Sequence, residues 1–473
     1  MEDNRQARPA GKLKNAPRES VGYRKFPSYT GVKRPLMETL TTTCCVVGGG
    51  PAGMMLGYLL ARRQVPVTVI EKHGDFFRDF RGDTVHPSTL ELFHELGLLA
   101  DFLKEPHQRL EMLSGVFGDH HFQAVDFRHV PAHCQFVAMM PQWDFLNFVS
   151  GQGRKLPHFD LRMQHEATGL VYRDGRVAGV EVQTPDGAAR IEADLVIGCD
   201  GRRSTVREAA GLEVVESGVP IDVLWFHISR RADDPQEMFG NVNYGRILVM
   251  INRDTYFQAG LIIAKGSFEQ LQSAGMDEFR RTIGRIAPYL GDRVQELQSW
   301  DQIKLLTVQI NRLRRWHRPG LLCIGDAAHA MSPAGGVGIN LAIQDAVATA
   351  NLLARPLRER RVGDAELAMV QRRREFPARV TQLVQMNIHR VFGWVFRRPG
   401  PLQVPWQVKV AFRIPGLQRA VGRGIGIGVR PEHIADARPE RGGVTVRKLA
   451  VCAGVVLAVA GVLLLRKRRC SRH

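Results

Sequence analysis

Three short blocks hold the residues of this 473-residue chain whose types and spacing could do chemistry. The first, Gly48-Gly49-Gly50-Pro51-Ala52-Gly53, satisfies G-x-G-x-x-G. In that pattern Gly48 allows a tight turn, Gly50 lets the backbone approach a pyrophosphate, and Gly53 lets helix pack closely on strand. Pro51 and Ala52 open the helix, whose free N–H groups and partial positive charge suit phosphates. Glu71 stands 18 residues beyond Gly53, close to the spacing of roughly 20 at which a carboxylate takes ribose hydroxyls. Its neighbour Lys72 joins the candidate cofactor residues. The second block is Asp200-Gly201, with Arg202, Arg203 and Arg207 close behind. The third is Gly325-Asp326, followed by a loop of small residues, Pro and Gly. Asp326 can bind a hydroxyl, and the helix that starts near Gly338 offers N–H donors to an anion. His329 has the chemistry of a base but reads better as a structural histidine. No His, Cys or acid cluster has metal-ligand spacing.

The elements around these blocks follow from apolar runs and turn residues. Thr42 to Val47 reads as a buried parallel strand, the next residues to about Arg63 as a helix, and Pro66 to Ile70 as a second strand. Together they form a βαβ unit for a dinucleotide. Pro87 to Leu99 predicts an amphipathic helix, and Gln142 stands at the start of another. Gly169 to Val182 and Ala188 to Val196 alternate with Asp174-Gly175 and Pro185-Asp186-Gly187, a β-meander. Its last strand delivers Asp200-Gly201 at its carboxyl end, where open α/β sheets bind ligands. Leu321 to Ile324 delivers Gly325-Asp326 in the same way. The predicted fold class is α/β: a Rossmann-like domain interleaved with a β-rich substrate domain, then a helical C-terminal region and a C-terminal transmembrane helix. The boundaries are a disordered basic extension over 1–40, dinucleotide domain over 41–210 and 319–355, substrate domain over 211–318, and basic helices over 356–435.

Composition narrows the class. The hydrophobic fraction of 44% is that of a globular protein. Seven cysteines without a C-x-x-C pair fit buried small hydrophobes in a reducing compartment, and neither a disulfide framework nor a zinc site. The net charge of +18 is regional: Arg355 to Arg430 holds 16 Lys or Arg against four acids, a balance of +12. A membrane-facing surface explains this better than nucleic acid, which is not expected as a partner. Leu449 to Leu465 is 17 uncharged residues between Arg447-Lys448 and Arg466-Lys467-Arg468-Arg469. At about 1.5 Å per residue it covers roughly 25 Å, the lower end of a bilayer span. The upstream stretch Val391 to Phe412 mixes aromatics with Arg, as an interfacial surface would. The expected placement is membrane-associated, with the catalytic part on the cytoplasmic side. Arg81-Gly82-Asp83 does not read as an adhesion motif, because nothing points to secretion.

Taken together, GGGPAG, CDGRRSTVR and GDAAHAMSPAGGVGINLAIQDA resemble, in order and spacing, the motifs of the flavoprotein monooxygenases of the p-hydroxybenzoate hydroxylase, phenol hydroxylase and ubiquinone-pathway hydroxylase type. The resemblance covers about Thr42 to Ala350 and implies FAD, with NADPH or NADH as co-substrate. It implies that Glu71 holds the adenosine ribose, that Arg81 and Gln142 contact the pyrophosphate and ribityl region, and that Asp200-Gly201 lies near the pyrophosphate and the nicotinamide path. Asp326 would bind a ribityl or ribose hydroxyl. Pro333 would flank the flavin's reactive edge, with backbone groups of Gly338, Ile339 and Asn340 at its N1–C2=O side. The implied reaction passes oxygen from a C4a-hydroperoxide to a small lipophilic substrate, an aromatic or a polyketide- or isoprenoid-like compound, with O2 as oxidant. No side-chain nucleophile is needed, and no catalytic residue is assigned. A reductase of the same fold, of the geranylgeranyl type, and a membrane-bound flavoprotein without turnover remain alternatives.

Overall fold

The computed structural model describes residues 38–77, 84–235 and 238–436. Arg81 with the rest of its triplet, the extension up to Met37, and Leu449–Leu465 lie outside the described residues.

One sheet carries the three motif blocks. Its parallel strands run in the order Leu321–Cys323, Gly187–Gly198, Glu38–Val47, Val67–Glu71 and Phe159–Met163. The opening strand is buried from Thr43 to Val47 and starts at Glu38, earlier than its apolar run predicts. The reason is pairing: Glu38 to Val47 lies in register against Ala189 to Gly198, and a partner strand overrides weak local propensity. The meander forms as predicted from Glu166–Arg173, Arg176–Thr184 and Gly187–Gly198. Its first turn has Asp174 at φ 51° and Gly175 at φ 74°, the doubly left-handed form that Asp-Gly favours in a two-residue hairpin.

The second sheet has seven strands: Lys304–Thr307, Ile221–Ser229, Tyr256–Ala264, Arg246–Asn252, Met238–Asn243, Met112–Phe117 and His120–Asp126. The last two come from residues that the sequence reading gave to the dinucleotide domain. Met112–Phe117 pairs in parallel with Met238–Asn243, across more than a hundred residues, and no local pattern announces such a contact. One face of this sheet is covered by Phe279, Ile283 and Ile286 of the helix Met276–Ile286. The other face receives Phe392, Trp394, Val395 and Phe396. These aromatics therefore pack inward, which corrects the interfacial reading of Val391 to Phe412 over its first six residues, whereas Trp406 and Val410 farther along are 66% and 50% exposed.

Two long helices join the sheets. Ala334–Arg358 is the one helix among the described residues long and apolar enough to cross a membrane, but 61% of its apolar window is buried inside the protein. It is a core helix. Asp364–Phe396 runs beside it and carries Pro377 within it. A buried charge network joins the two. Asp345 accepts hydrogen bonds from Gly325 N (3.1 Å) and Arg374 Nε (2.8 Å), and pairs with His329 Nε2 (2.6 Å). Arg374 also reaches Glu432, which Arg373 pairs from the other side. Burial alone would raise the Asp345 carboxyl, yet His329 and Arg374 hold it below its usual range. Removing one partner of such a set leaves buried charge uncompensated, at a cost of about 3–5 kcal/mol. Arg374→Met is expected to lower unfolding stability by that amount in urea titration. A loss under about 1 kcal/mol would show that the network contributes little.

Candidate active site

The glycine loop is built by close approach. Gly48 sits at φ 104°, and a Cβ there would stand 2.6 Å from the Cys199 carbonyl oxygen and 2.8 Å from Asp200 Cα. A Cβ on Gly53 would stand 1.9 Å from the Gly48 carbonyl oxygen. Only glycine fits at either place. Gly50 differs: its backbone is at φ −73°, and a Cβ there meets nothing within 4 Å. No protein packing demands that glycine. The open space lies at the N-terminus of Pro51–Arg62, where Ala52 is buried and unbonded N–H groups converge. Glu71 ends its strand beside this loop and accepts from Gly49 N at 2.9 Å.

The second and third blocks close on the first. Asp200 follows the strand Gly187–Gly198, next to Gly201 at φ 86°. Its Oδ2 accepts from Val206 N at 3.3 Å, while its Oδ1 is buried without a partner. Burial pushes this carboxyl up from its usual range. Gly325, at φ 58°, approaches Ala52 and Ala342 so closely that a Cβ would meet both at 3.1–3.4 Å. Asp326 accepts from Arg202 Nε at 3.1 Å, and Arg202 also donates to the Met331 carbonyl. Arg207 donates to the carbonyls of Ala327 and Arg202. The arginines behind Asp200-Gly201 thus tie the second block to the third.

The loop from Ser332 to Asn340 is held from two sides. Toward the strand Thr84–Val85, the Asn340 side chain donates to the carbonyls of Thr84 (2.9 Å) and Gly336 (3.1 Å). Its Oδ1 accepts from His86 N and Thr89 Oγ1, both at 2.8 Å. Toward the long helix, Ser332 N donates to Gln385 Oε1, and Gln385 Nε2 donates to the carbonyls of Ser332 and Ala334. Ser332 Oγ pairs with His389 Nε2 at 2.9 Å, and Gln382 donates to the Ala330 carbonyl. Burial lowers both His86 and His389 to about 4, so both are neutral at pH 7. Gly338 and the half-buried Ile339 follow in the first turn of Val337–Arg358, with Pro333 one step before the turn Ala334–Gly336.

Most residues singled out in the sequence therefore gather: Gly48 to Gly53, Glu71, Asp200-Gly201, Gly325-Asp326 and Pro333 to Asn340. Gln142 starts the helix Gln142–Gly153, which packs on the glycine-loop helix. Lys72 stands apart, exposed and 3.9 Å from Glu166. His329 is structural, as its sequence context suggested. Gln382, Gln385 and His389 went unread, although three polar residues on one helical face, all buried, are a periodicity signal. The glycines offer a direct check of the cradle. Gly50→Ala is compatible with the backbone and space at that site, so it is expected to unfold like the parent while retaining less flavin. Gly53→Ala is expected to lose both stability and flavin. Absorbance ratio and thermal melting read the two effects separately, and full flavin occupancy in Gly50→Ala would refute the cradle.

Comparison with known proteins agrees with this geometry. The family model described as FAD binding domain matches residues 41–384. The 6-methylpretetramide 4-monooxygenase of Streptomyces rimosus is 33% identical over 375 residues, which cover 76% of this chain and 86% of that protein. The dialkyldecalin synthase of Streptomyces rugosporus is 27% identical over 65% of this chain and 64% of its own length. Among solved structures, the OxyS anhydrotetracycline hydroxylase from Streptomyces rimosus superposes with a TM-score of 0.66 at 21% identity, over 83% of this chain and 77% of that one. The protein belongs to the family of FAD-dependent aromatic hydroxylases and monooxygenases.

Proposed function

We propose that the protein is an NAD(P)H-consuming monooxygenase that places one oxygen atom of O2 on a lipophilic aromatic substrate of polyketide type. The observation that carries this reading is the convergence of Gly48–Gly53, Asp200-Gly201 and Gly325-Asp326 at one end of one sheet. The likeness to a monooxygenase named for a pretetramide supports the substrate class. In the balanced reaction, substrate, O2, NAD(P)H and a proton give hydroxylated product, water and NAD(P)+. Bound FAD supplies the electron transfer from nicotinamide to oxygen.

The chain's residues position and polarise. Glu71, Asp200 and Asp326 accept hydroxyl donors along the cofactor, and the cradle at Gly50 takes the pyrophosphate. The N-terminus of Val337–Arg358 stabilises negative charge that develops beside it. Neutral His86 and His389 add no charge to the loop. The deciding measurement is turnover of tetracyclic phenols under isotopically labelled O2. Labelled product with matching NADPH consumption is expected. NADPH consumption without label in the product would instead favour a reductase of this fold.

We propose further that Leu449–Leu465 tethers the protein to a membrane, with the catalytic part on the cytoplasmic side, where reduced nicotinamide is supplied. The length and unbroken apolarity of that segment support this reading. Deleting the chain after Arg447 is expected to move the protein from membrane pellet to supernatant. Unchanged pelleting would defeat the tether.

A further inference from the structure

The outer face of the long helix Asp364–Phe396 carries an arrangement that the site does not use. Met369, Phe376 and Leu383 recur every seven residues and so share one stripe. They are 37%, 52% and 47% exposed. Arginines flank the stripe. Arg373 and Arg379 are matched by Glu432 and Glu375. Arg372 and Arg430 have no carboxylate partner among the described residues, and the Arg430 guanidinium lies 5.4 Å over the Phe376 ring. Beside the stripe is a cleft of about 560 Å³ whose lining includes Leu352, Met369, Arg372, Arg373 and Arg430 together with Glu432.

This face is also where the described chain ends. Asn351, next to Leu352, holds the His433 carbonyl and Ala435 N, and Asp436 pairs with Arg63 at 2.8 Å. From Asp436 to Leu449 the chain has thirteen steps, at most about 45 Å when fully extended. A tether at Leu449 therefore keeps this end within about 45 Å of the bilayer, close enough for this face to reach it. A second copy is a poor occupant, because two-fold pairing would set unmatched arginines against each other.

We infer that the stripe Met369–Phe376–Leu383, with Arg372 and Arg430, docks on the surface of an anionic lipid bilayer, the apolar side chains entering the headgroup layer. The inference deepens the tether reading and adds to it a lipid class and an orientation. Each unmatched arginine near an anionic leaflet strengthens attachment about fivefold, and salt weakens it. Docking in this pose also sets the helix that braces the Ser332–Asn340 loop parallel to the membrane surface.

The test uses the full chain with Phe376→Cys, and separately Leu383→Cys, on vesicles of phosphatidylcholine with or without phosphatidylglycerol. Labelling by a water-soluble maleimide is read on the peptide that contains the new cysteine. Labelling is expected to slow about tenfold on the anionic vesicles only, and to recover in high salt. Adding Arg372→Gln and Arg430→Gln is expected to weaken the salt-sensitive component about thirtyfold. Flotation with both vesicle types at equal labelling rates would overturn the docking face and leave the tether standing. Protection on anionic vesicles without flotation on neutral ones would uphold the face and overturn the tether. Failure to float with either would overturn both.

Discussion

The carboxylate of Asp345 sits at the point where the two halves of this fold meet. It is fully buried, and it holds at once the backbone N–H of Gly325, the ring of His329 and the guanidinium of Arg374. The set draws on three parts of the chain, with Gly325 and His329 in one turn. Gly325 opens the motif turn, Asp345 itself stands on the core helix, and Arg374 belongs to the helix that braces the second sheet. Burial of so much charge is tolerable because each buried carboxylate faces a cation, with His329 engaged through Nε2 alone while its Nδ1 is buried without a partner. The consequence is geometric: the turn that presents Asp326 cannot shift without breaking a bond in a dry interior. Arg374 extends the same constraint to Glu432 and so to the last segment of the described residues.

A second set of bonds fixes the loop in front of that turn. Asn340 spends its whole side chain on the loop and on the residues from Thr84 to Thr89. A Cβ on Gly336 would stand 2.3 Å from Thr84 Oγ1, so the loop lies directly against that strand. On its other side Gln382, Gln385 and His389 hold the backbone from Ala330 to Ala334. These bonds leave the N–H groups at the start of Val337–Arg358 as the loop's remaining donors. A site arranged this way polarises with backbone rather than side chains. That accounts for the absence of an obvious acid, base or nucleophile in the sequence, because preorganised dipoles need no titrating group.

The legible parts of the chain were those with local causes. The glycine loop, the Asp-Gly hairpin and the strand ends at Asp200 and Asp326 were readable, because close approach and turn geometry dictate residue type at fixed spacing. The second sheet was readable only in part. Its strand Met112–Phe117 belongs there through a partner more than a hundred residues later, and no period or turn encodes that. Asn340 shows a different limit. Its backbone was singled out as a ligand-facing group, while the loop-holding bonds of its side chain went unread, since the choice among hydrogen-bond partners is settled only in three dimensions. Val391 to Phe396 misled because aromatic and basic residues suit a lipid interface and a sheet face equally well, and packing decides between them.

The charge of the C-terminal third makes the same distinction quantitative in kind. A balance of +12 between Arg355 and Arg430 reads as a surface property, yet its members do unlike work. Arg374 is interior and neutralises Asp345 and Glu432. Arg373, Arg379 and Arg355 each have a carboxylate within 4.0 Å. Such exposed pairs contribute little to stability, and they also contribute little to the field felt by a distant partner. Of the basic residues without a carboxylate within 4.0 Å among the described residues, Arg372 and Arg430 are two that stand beside the exposed stripe of Met369 and Phe376. A long-range attraction is set by unmatched charge, while depth of entry is set by exposed apolar area. Only where the two coincide does a basic count become a docking surface, and on the helix Asp364–Phe396 they coincide.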